Sequence, residues 1–470
     1  MSSSDRPTAG APLPLTAPPL RPVRGPRGLP RPLGDLFAFG RDPLDFLSGL
    51  RDGFGDAVTW SLGPRRSLFL SHPQHIVELL TGREHAYEIL DIGWALKQII
   101  GRSVLLSKGA DWRRKRSLVQ PTVRPRQVRG YAATMVECAG AAADAWREGE
   151  RIDVHRQMAL ITQRVVLRTL FGNDLGEQTG ALGDAMTVAE QAVGAELRGI
   201  GLFLPGWVRT PSRRSLLGAV ATIDAEVHRL IRARLSAPDD LGKRDDLLSR
   251  LLAARDEEGS PLSPKEVRDE AVTLWAAGHE TTSTALTWIV YLLGRAPRVR
   301  ARLEAELDDV LGGRPPTADD YDRLVWARQI VKEALRLYPP AWLIGAVARP
   351  GATLAGTRVP PGTIVWCSPW TTHRDPRWFP RPDAFRPERW DADAPDTVPD
   401  HAWYPFGGGQ RTCLGARFAQ VEAALVLATL AQRHHLDVPP AEAVPRAGLL
   451  LQPAVPLLAT VRGRPRAAVH

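Results

Sequence analysis

Phe406-Gly407-Gly408-Gly409-Gln410-Arg411-Thr412-Cys413-Leu414-Gly415 decides how the rest of the chain is read. Three consecutive glycines permit positive φ and a close approach of the backbone to a flat ligand. Cys413 stands just before a stretch patterned as a helix. A helix N-terminus offers free N–H groups and partial positive charge, and both stabilise a thiolate. Arg411, two residues earlier, could pair with an anionic group on the same ligand. A lone cysteine here would read as an inert thiol beside a helix cap. Phe406, Gly407, Arg411, Cys413 and Gly415 in this order argue for a ligand site instead.

Upstream, Ser263-Pro264-Lys265-Glu266 is a capping box with proline at the first helical position. It predicts a helix running to about residue 296, where Pro297 stops it; at ~1.5 Å per residue that is about 50 Å. Its middle reads Ala276-Ala277-Gly278-His279-Glu280-Thr281-Thr282-Ser283-Thr284. A glycine and four hydroxyl residues lower helix propensity, so something other than local stability must explain them. The Thr281 hydroxyl can bond back to the carbonyl of Ala277 and open the helical ladder. His279 reads as packed or solvated, with no role. In Glu333-Ala334-Leu335-Arg336 the two charged side chains share a helix face. In Trp112-Arg113-Arg114-Lys115-Arg116 the first and last residues face the same way on a helix.

The residues 406–415 resemble the haem-binding loop of the cytochrome P-450 family, F-x-x-G-x-R-x-C-x-G. The resemblance runs from about residue 27 to about residue 463. It implies the P-450 fold: mainly α with a minor β part, a triangular prism of helices around a buried haem. It makes Cys413 the proximal ligand of iron in haem b. Ala277-Gly278-His279-Glu280-Thr281 is similar to the family's oxygen-activation motif, with Ala277 and Gly278 letting the helix pass close over the haem. Thr281 and Glu280 would then relay protons to a distal oxygen. Glu333 and Arg336 look like the family's E-x-x-R pair, with Arg389 of Phe385-Arg386-Pro387-Glu388-Arg389-Trp390 as the third, structural partner. Trp112, Arg116 and Arg411 are the candidates for the haem propionates. Many soluble relatives add an arginine in the strand after the E-x-x-R helix, but here Trp342-Leu343-Ile344-Gly345 occupies that place.

The implied activity is monooxygenation of a hydrophobic small molecule such as a terpenoid, a fatty acid or a polyketide-like metabolite. Ile92, Trp94, Leu274, Trp342, Leu343 and Leu450 are expected to line an apolar pocket, together with the stretch 201–207. Electrons would come from NAD(P)H through a ferredoxin with its reductase or a flavodoxin-type donor; the family's placement of the W-x-x-x-R helix beside the haem implies that residues 113–115 face outward as a basic docking patch. Only 57 residues follow Cys413, so no C-terminal reductase is expected. A haem-thiolate peroxygenase, an isomerase or dehydratase, and a non-catalytic haem-binding protein are the competing readings. The intact acid–threonine pair counts against all of them.

Composition narrows the field. The 470 residues are 44% apolar and 24% charged, which excludes a disordered chain. Three distant cysteines exclude a disulfide scaffold and a cysteine-built zinc or iron–sulfur site. Of 61 basic residues only six are lysine, so the net charge of +9 reads as base composition and no nucleic-acid partner is expected. No apolar run reaches the roughly 18 residues of a membrane span, and the N-terminus has no apolar leader. The expectation is a cytoplasmic monomer without a membrane anchor. It comprises a Pro-rich flexible lead-in, residues 1–34, and one haem-thiolate domain, residues 35–470. Strands are expected at 57–62, 67–71 and 364–367, and a helix at 318–338.

Overall fold

The computed structural model describes residues 23–24, 33–82, 85–90, 93–172, 178–198, 204–241, 243–394 and 398–464. Most of the lead-in, Ile92 and residues 201–203 lie outside them. The helix Pro264–Arg295 organises the rest. Both halves of the capping box form: the Ser263 hydroxyl accepts the Glu266 N–H, and the Glu266 carboxylate accepts the Ser263 N–H. Trp275 and Trp288, on this helix, are fully buried. A helix covered on nearly every face belongs at the centre of a domain. Val154–Phe171 packs along it, and Pro211–Leu235, Val325–Leu337 and Ala416–Ala431 also contact it.

The β part is small. A six-stranded sheet has the order Val23–Arg24, Ala57–Leu62, Arg65–Leu70, Ile364–Cys367, Ile344–Ala348, Tyr87–Ile89. Alternation along its strands splits the side chains between two cores. Leu68, Leu70, Val365 and Cys367 enter one, and Val58, Trp60, Phe69, Ile364 and Trp366 enter the other. The lead-in contributes its first described piece here, since Val23 pairs in parallel with Val58.

The helix expected over 318–338 is two elements, a 3-10 turn Asp320–Asp322 and the helix Val325–Leu337. Asp320 accepts the Thr317 N–H and pairs with Arg314 and Arg323, which closes the turn on itself. Glu306, from the preceding helix, then caps the new start by accepting the N–H groups of Trp326 (2.6 Å) and Ala327 (2.9 Å).

Glu333 and Arg336 are wholly buried and joined by two bonds of 2.8 and 2.9 Å. Arg389 lies 3.5 Å from Glu333, and the Trp390 indole and Arg386 backbone N–H also donate to that carboxylate. Other guanidinium protons of the pair satisfy carbonyls of the irregular stretch after residue 372. Arg336 donates to the carbonyls of His373, Pro382 and Ala384, and Arg389 donates to those of Pro380 and Arg381. His373 relays the clamp onward, because its Nε2 accepts the Tyr404 N–H at 3.0 Å, two residues before Phe406.

Glu422, on the helix Ala416–Ala431, is buried with neither oxygen hydrogen-bonded in good geometry among the described residues. Burial pushes its pKa up to about 8, although Thr282 and His279 pull the other way. The folded state therefore keeps a proton that the unfolded chain releases above 4.5, and stability falls as pH rises from 4.5 to about 8. Glu422→Gln removes that penalty. It is expected to melt near wild type at mildly acid pH and above it at pH 8 in thermal scans. A constant offset across that range would refute the assignment. Glu333→Ala strands two buried guanidiniums and is expected to cost ~3–5 kcal/mol or to abolish folding in denaturant titrations.

Candidate active site

The glycine loop closes through the Cys413 N–H, which donates to the Phe406 carbonyl at 3.0 Å. Gly407 and Gly409 take positive φ of 70° and 65°. The space a side chain would need at Gly409 is filled by the Leu80 carbonyl, and at Gly408 the Leu80 Cδ1 lies 3.0 Å away. These two glycines therefore seat the loop on the end of the helix Pro73–Thr81, and do not present bare backbone to a ligand.

Cys413 lies so deep that loss of water raises its thiol pKa, with the Gly415 N–H and the Arg116 charge acting in the opposite direction. Its side chain is nonetheless exposed. The surface that it shows opens into interior space. Arg116 donates to the Thr412 carbonyl at 2.9 Å and forms no ion pair with a carboxylate among the described residues. Arg411 lies 4.4 Å over the Trp112 ring and donates to the Ser107 carbonyl at 2.8 Å. The helix Gly109–Val119 is thus pinned to the cysteine loop by both arginines.

The outward patch at 113–115 needs correction. Lys115 is buried (3% exposed), its ammonium bonded to the Arg102 carbonyl, Ser107 Oγ and Asp111. Arg114 pairs with Asp256 and Glu266. Of the three, only Arg113 is exposed with no carboxylate pair among the described residues.

On the long helix, Leu274, Ala277 and Thr281 form an open stripe, with Trp275, His279 and Thr282 buried beside it. Gly278 does not serve a ligand face: a side chain there would meet Val166 Cγ2 at 3.1 Å, so the glycine permits close crossing of Val154–Phe171. The open position is Ala277, which is exposed.

The hydroxyl-rich run has a collective use. Four consecutive carbonyls accept hydroxyl bonds: Ala277 from Thr281 (2.7 Å), Gly278 from Thr282 (3.0 Å), His279 from Thr162 (3.0 Å) and Glu280 from Ser283 (3.0 Å). The element stays α-helical throughout, so the expected opening of its ladder does not occur. Glu280 does not meet Thr281. Its carboxylate accepts Gln452 Nε2 at 2.5 Å and lies 3.4 Å from His155 Nε2.

The expected pocket is partly rearranged. Leu274, Leu343 and Leu450 are half-buried. The Trp94 ring is covered by Arg213 at 4.8 Å, a buried residue that also gathers the carbonyls of Leu204, Pro205 and Val208. Trp342 is only 7% exposed, packs in the core with Trp60 and Trp366, and donates to the Gly448 carbonyl, so it is core and not lining. An arginine at 345 would have no room, because the Trp366 ring stands 2.7 Å from the position a Cβ would take. Sequence reasoning missed His155, Glu190 and Gln452, which surround Glu280 and His279. No local spacing joins them, since they come from three separate elements.

The donor set fits an iron porphyrin. A thiol faces interior space, arginines stand beside it, and the exposed midsection of the long helix carries nothing larger than leucine. The profile of the family described as Cytochrome P450 matches residues 24–457. The chain is 38% identical to cyclooctatin synthase of Streptomyces melanosporofaciens, over 87% of this chain and 88% of that protein. It is 35% identical to cyclooctat-9-en-7-ol 5-monooxygenase of the same organism, over 90% and 91%. It is 34% identical to pentalenene oxygenase of Streptomyces avermitilis, over 87% and 90%. By its sequence over nearly its whole length, and by the cysteine loop and long helix just described, this chain belongs to the cytochrome P450 family.

Proposed function

We propose that this P450 monooxygenase oxidises a terpenoid, taking electrons from NAD(P)H through a separate ferredoxin or flavodoxin-type protein. The observation that carries the haem-thiolate reading is Cys413, exposed into an interior space with the Gly415 N–H and the Arg116 charge directed at its sulfur. Support for the substrate class comes from relatives named for cyclooctat-9-en-7-ol and pentalenene. The half-buried leucines 274, 343 and 450 suit a ligand with few polar handles.

When bound, thiolate-ligated haem supplies the oxygen chemistry, one atom entering the substrate and the other leaving as water. The protein's part is to hold and to protonate. Cys413 would ligate the iron, and Trp112, Arg116 and Arg411 would meet the propionates. Ala277 would leave room above the distal face. Thr281 directs its hydroxyl proton to the Ala277 carbonyl, so its lone pairs remain as an acceptor on the open stripe. Glu280, one position away, would supply protons after turning from Gln452. No helix among the described residues is long and apolar enough to cross a membrane.

Cys413→Ala is expected to abolish the thiolate-type carbon monoxide spectrum of the reduced protein; a retained spectrum would overturn the ligand assignment. Thr281→Ala is expected to keep haem and to divert reducing equivalents into peroxide or water, measured as product formed per NAD(P)H. Unchanged coupling would remove Thr281 from the mechanism. Terpenes, fatty acids and macrolides should be compared by substrate-induced spin shift. A response confined to fatty acids or macrolides would refute the terpenoid assignment.

A further inference from the structure

His279 is buried within the oxygen-side motif, and the function proposed above leaves it unused. Its Nδ1 lies 3.2 Å from the Trp275 carbonyl, which can only accept, so Nδ1 carries a proton. Its Nε2 lies 3.4 Å from Glu190 Oε1 and 3.8 Å from Glu280 Oε2. One proton on that nitrogen is flanked by two carboxylates, and without it the nitrogen would face two anions. On the far side of Glu280 stands His155. Thr287 commits its hydroxyl proton to the Ser283 carbonyl, so His155 Nδ1 donates to Thr287 Oγ1 at 3.3 Å. His155 Nε2 faces both the Glu280 carboxylate (3.4 Å) and the Gln452 amide (3.4 Å). Charged, the ring donates to the carboxylate; neutral, it accepts from the amide. It can therefore gain or lose a proton without losing a partner.

We propose that Glu190, His279 and His155 are positioning residues that store protons and reload Glu280 from solvent. This rests on the monooxygenase reading, in which Glu280 is the proton donor. In each transfer the N–H bond at His279 Nε2 breaks and an O–H bond forms at Glu280 Oε2. Glu190, whose side chain is 25% exposed, takes a proton from water and returns it to His279. No electrons move, and one proton enters per proton delivered. Burial opposes charge on His279, but Glu190 and Glu280 outweigh it and push the pKa up to about 9. The other titratable groups facing the cluster are His155 and Asp153 at the start of Val154–Phe171 and Glu422 on Ala416–Ala431.

Carbon-13 histidine NMR of the reduced, carbon monoxide-bound holoenzyme tests this directly. One imidazole is expected to stay protonated until about pH 9, to vanish in His279→Asn, and to titrate lower in Glu190→Gln. In turnover, His279→Asn is expected to raise peroxide per product by roughly tenfold or more, with the thiolate spectrum intact. Glu190→Gln is expected to shift the alkaline limb of the coupling profile downward. Should His279→Asn fail to fold, Glu190→Gln decides alone, since its site is at the solvent edge. An imidazole titrating near the ordinary 6.5, or a coupling profile unmoved by Glu190→Gln, overturns the relay. A wild-type protein lacking the thiolate spectrum would instead defeat the monooxygenase reading, and the titration would still report on the cluster.

Discussion

One carboxylate in a dry interior, Glu333, holds two guanidiniums, and the path of the chain into the cysteine loop depends on it. The described residues of the stretch 373–404 have little regular structure, so their buried carbonyls lack the partners that helices and sheets supply. Arg336 and Arg389 provide those partners, and Glu333 makes it possible to bury them. A pair like this contributes little net stability against a hydrophobic replacement. What it contributes is a single path for the chain. Through His373 and Tyr404 that path reaches the residues immediately before the cysteine loop.

The long helix shows a different compromise. Its central residues are poor helix formers, yet four of its carbonyls receive a second donor from neighbouring hydroxyls. Such bonds compete with the helical ladder and soften it. Here the close crossing at Gly278 and the surrounding core keep the helix intact, and the result is a polar seam inside an apolar domain. The seam's acidic end turns toward His155 and Gln452, not toward Thr281. Neighbours in sequence point roughly 100° apart on a helix, so Glu280 and Thr281 belong to different surfaces unless a side chain swings.

What was legible in the sequence was local. The capping box, the prolines at helix starts, the E-x-x-R spacing and the glycine–arginine–cysteine order each encode their geometry within a few residues. The failures are long-range. Lys115 reads as a solvated lysine and becomes a buried cap for the turn at Arg102. Trp342 reads as pocket lining and becomes core because Trp60 and Trp366 arrive from distant strands. The helix start at Val325 is set by Glu306, which no pattern near residue 325 announces. The environment of Glu280 requires His155, Glu190 and Gln452, from two other helices and a strand.

Gly345 bears on how this fold can diversify. The Trp366 ring that fills its side-chain space is itself fixed, since its indole nitrogen donates to Ser67 Oγ at 3.2 Å, and Leu90 Cδ2 closes the other side at 3.2 Å. Trp366 is therefore the residue that excludes a side chain at 345, with Leu90 narrowing the space further. A cation at strand position 345 requires that the Trp366 ring be replaced or moved and that the Leu90 side chain shift by a few tenths of an ångström. With no cation on the strand, the positive charge beside the cysteine loop comes from Arg116 and Arg411, which the helix Gly109–Val119 and its preceding turn hold in place.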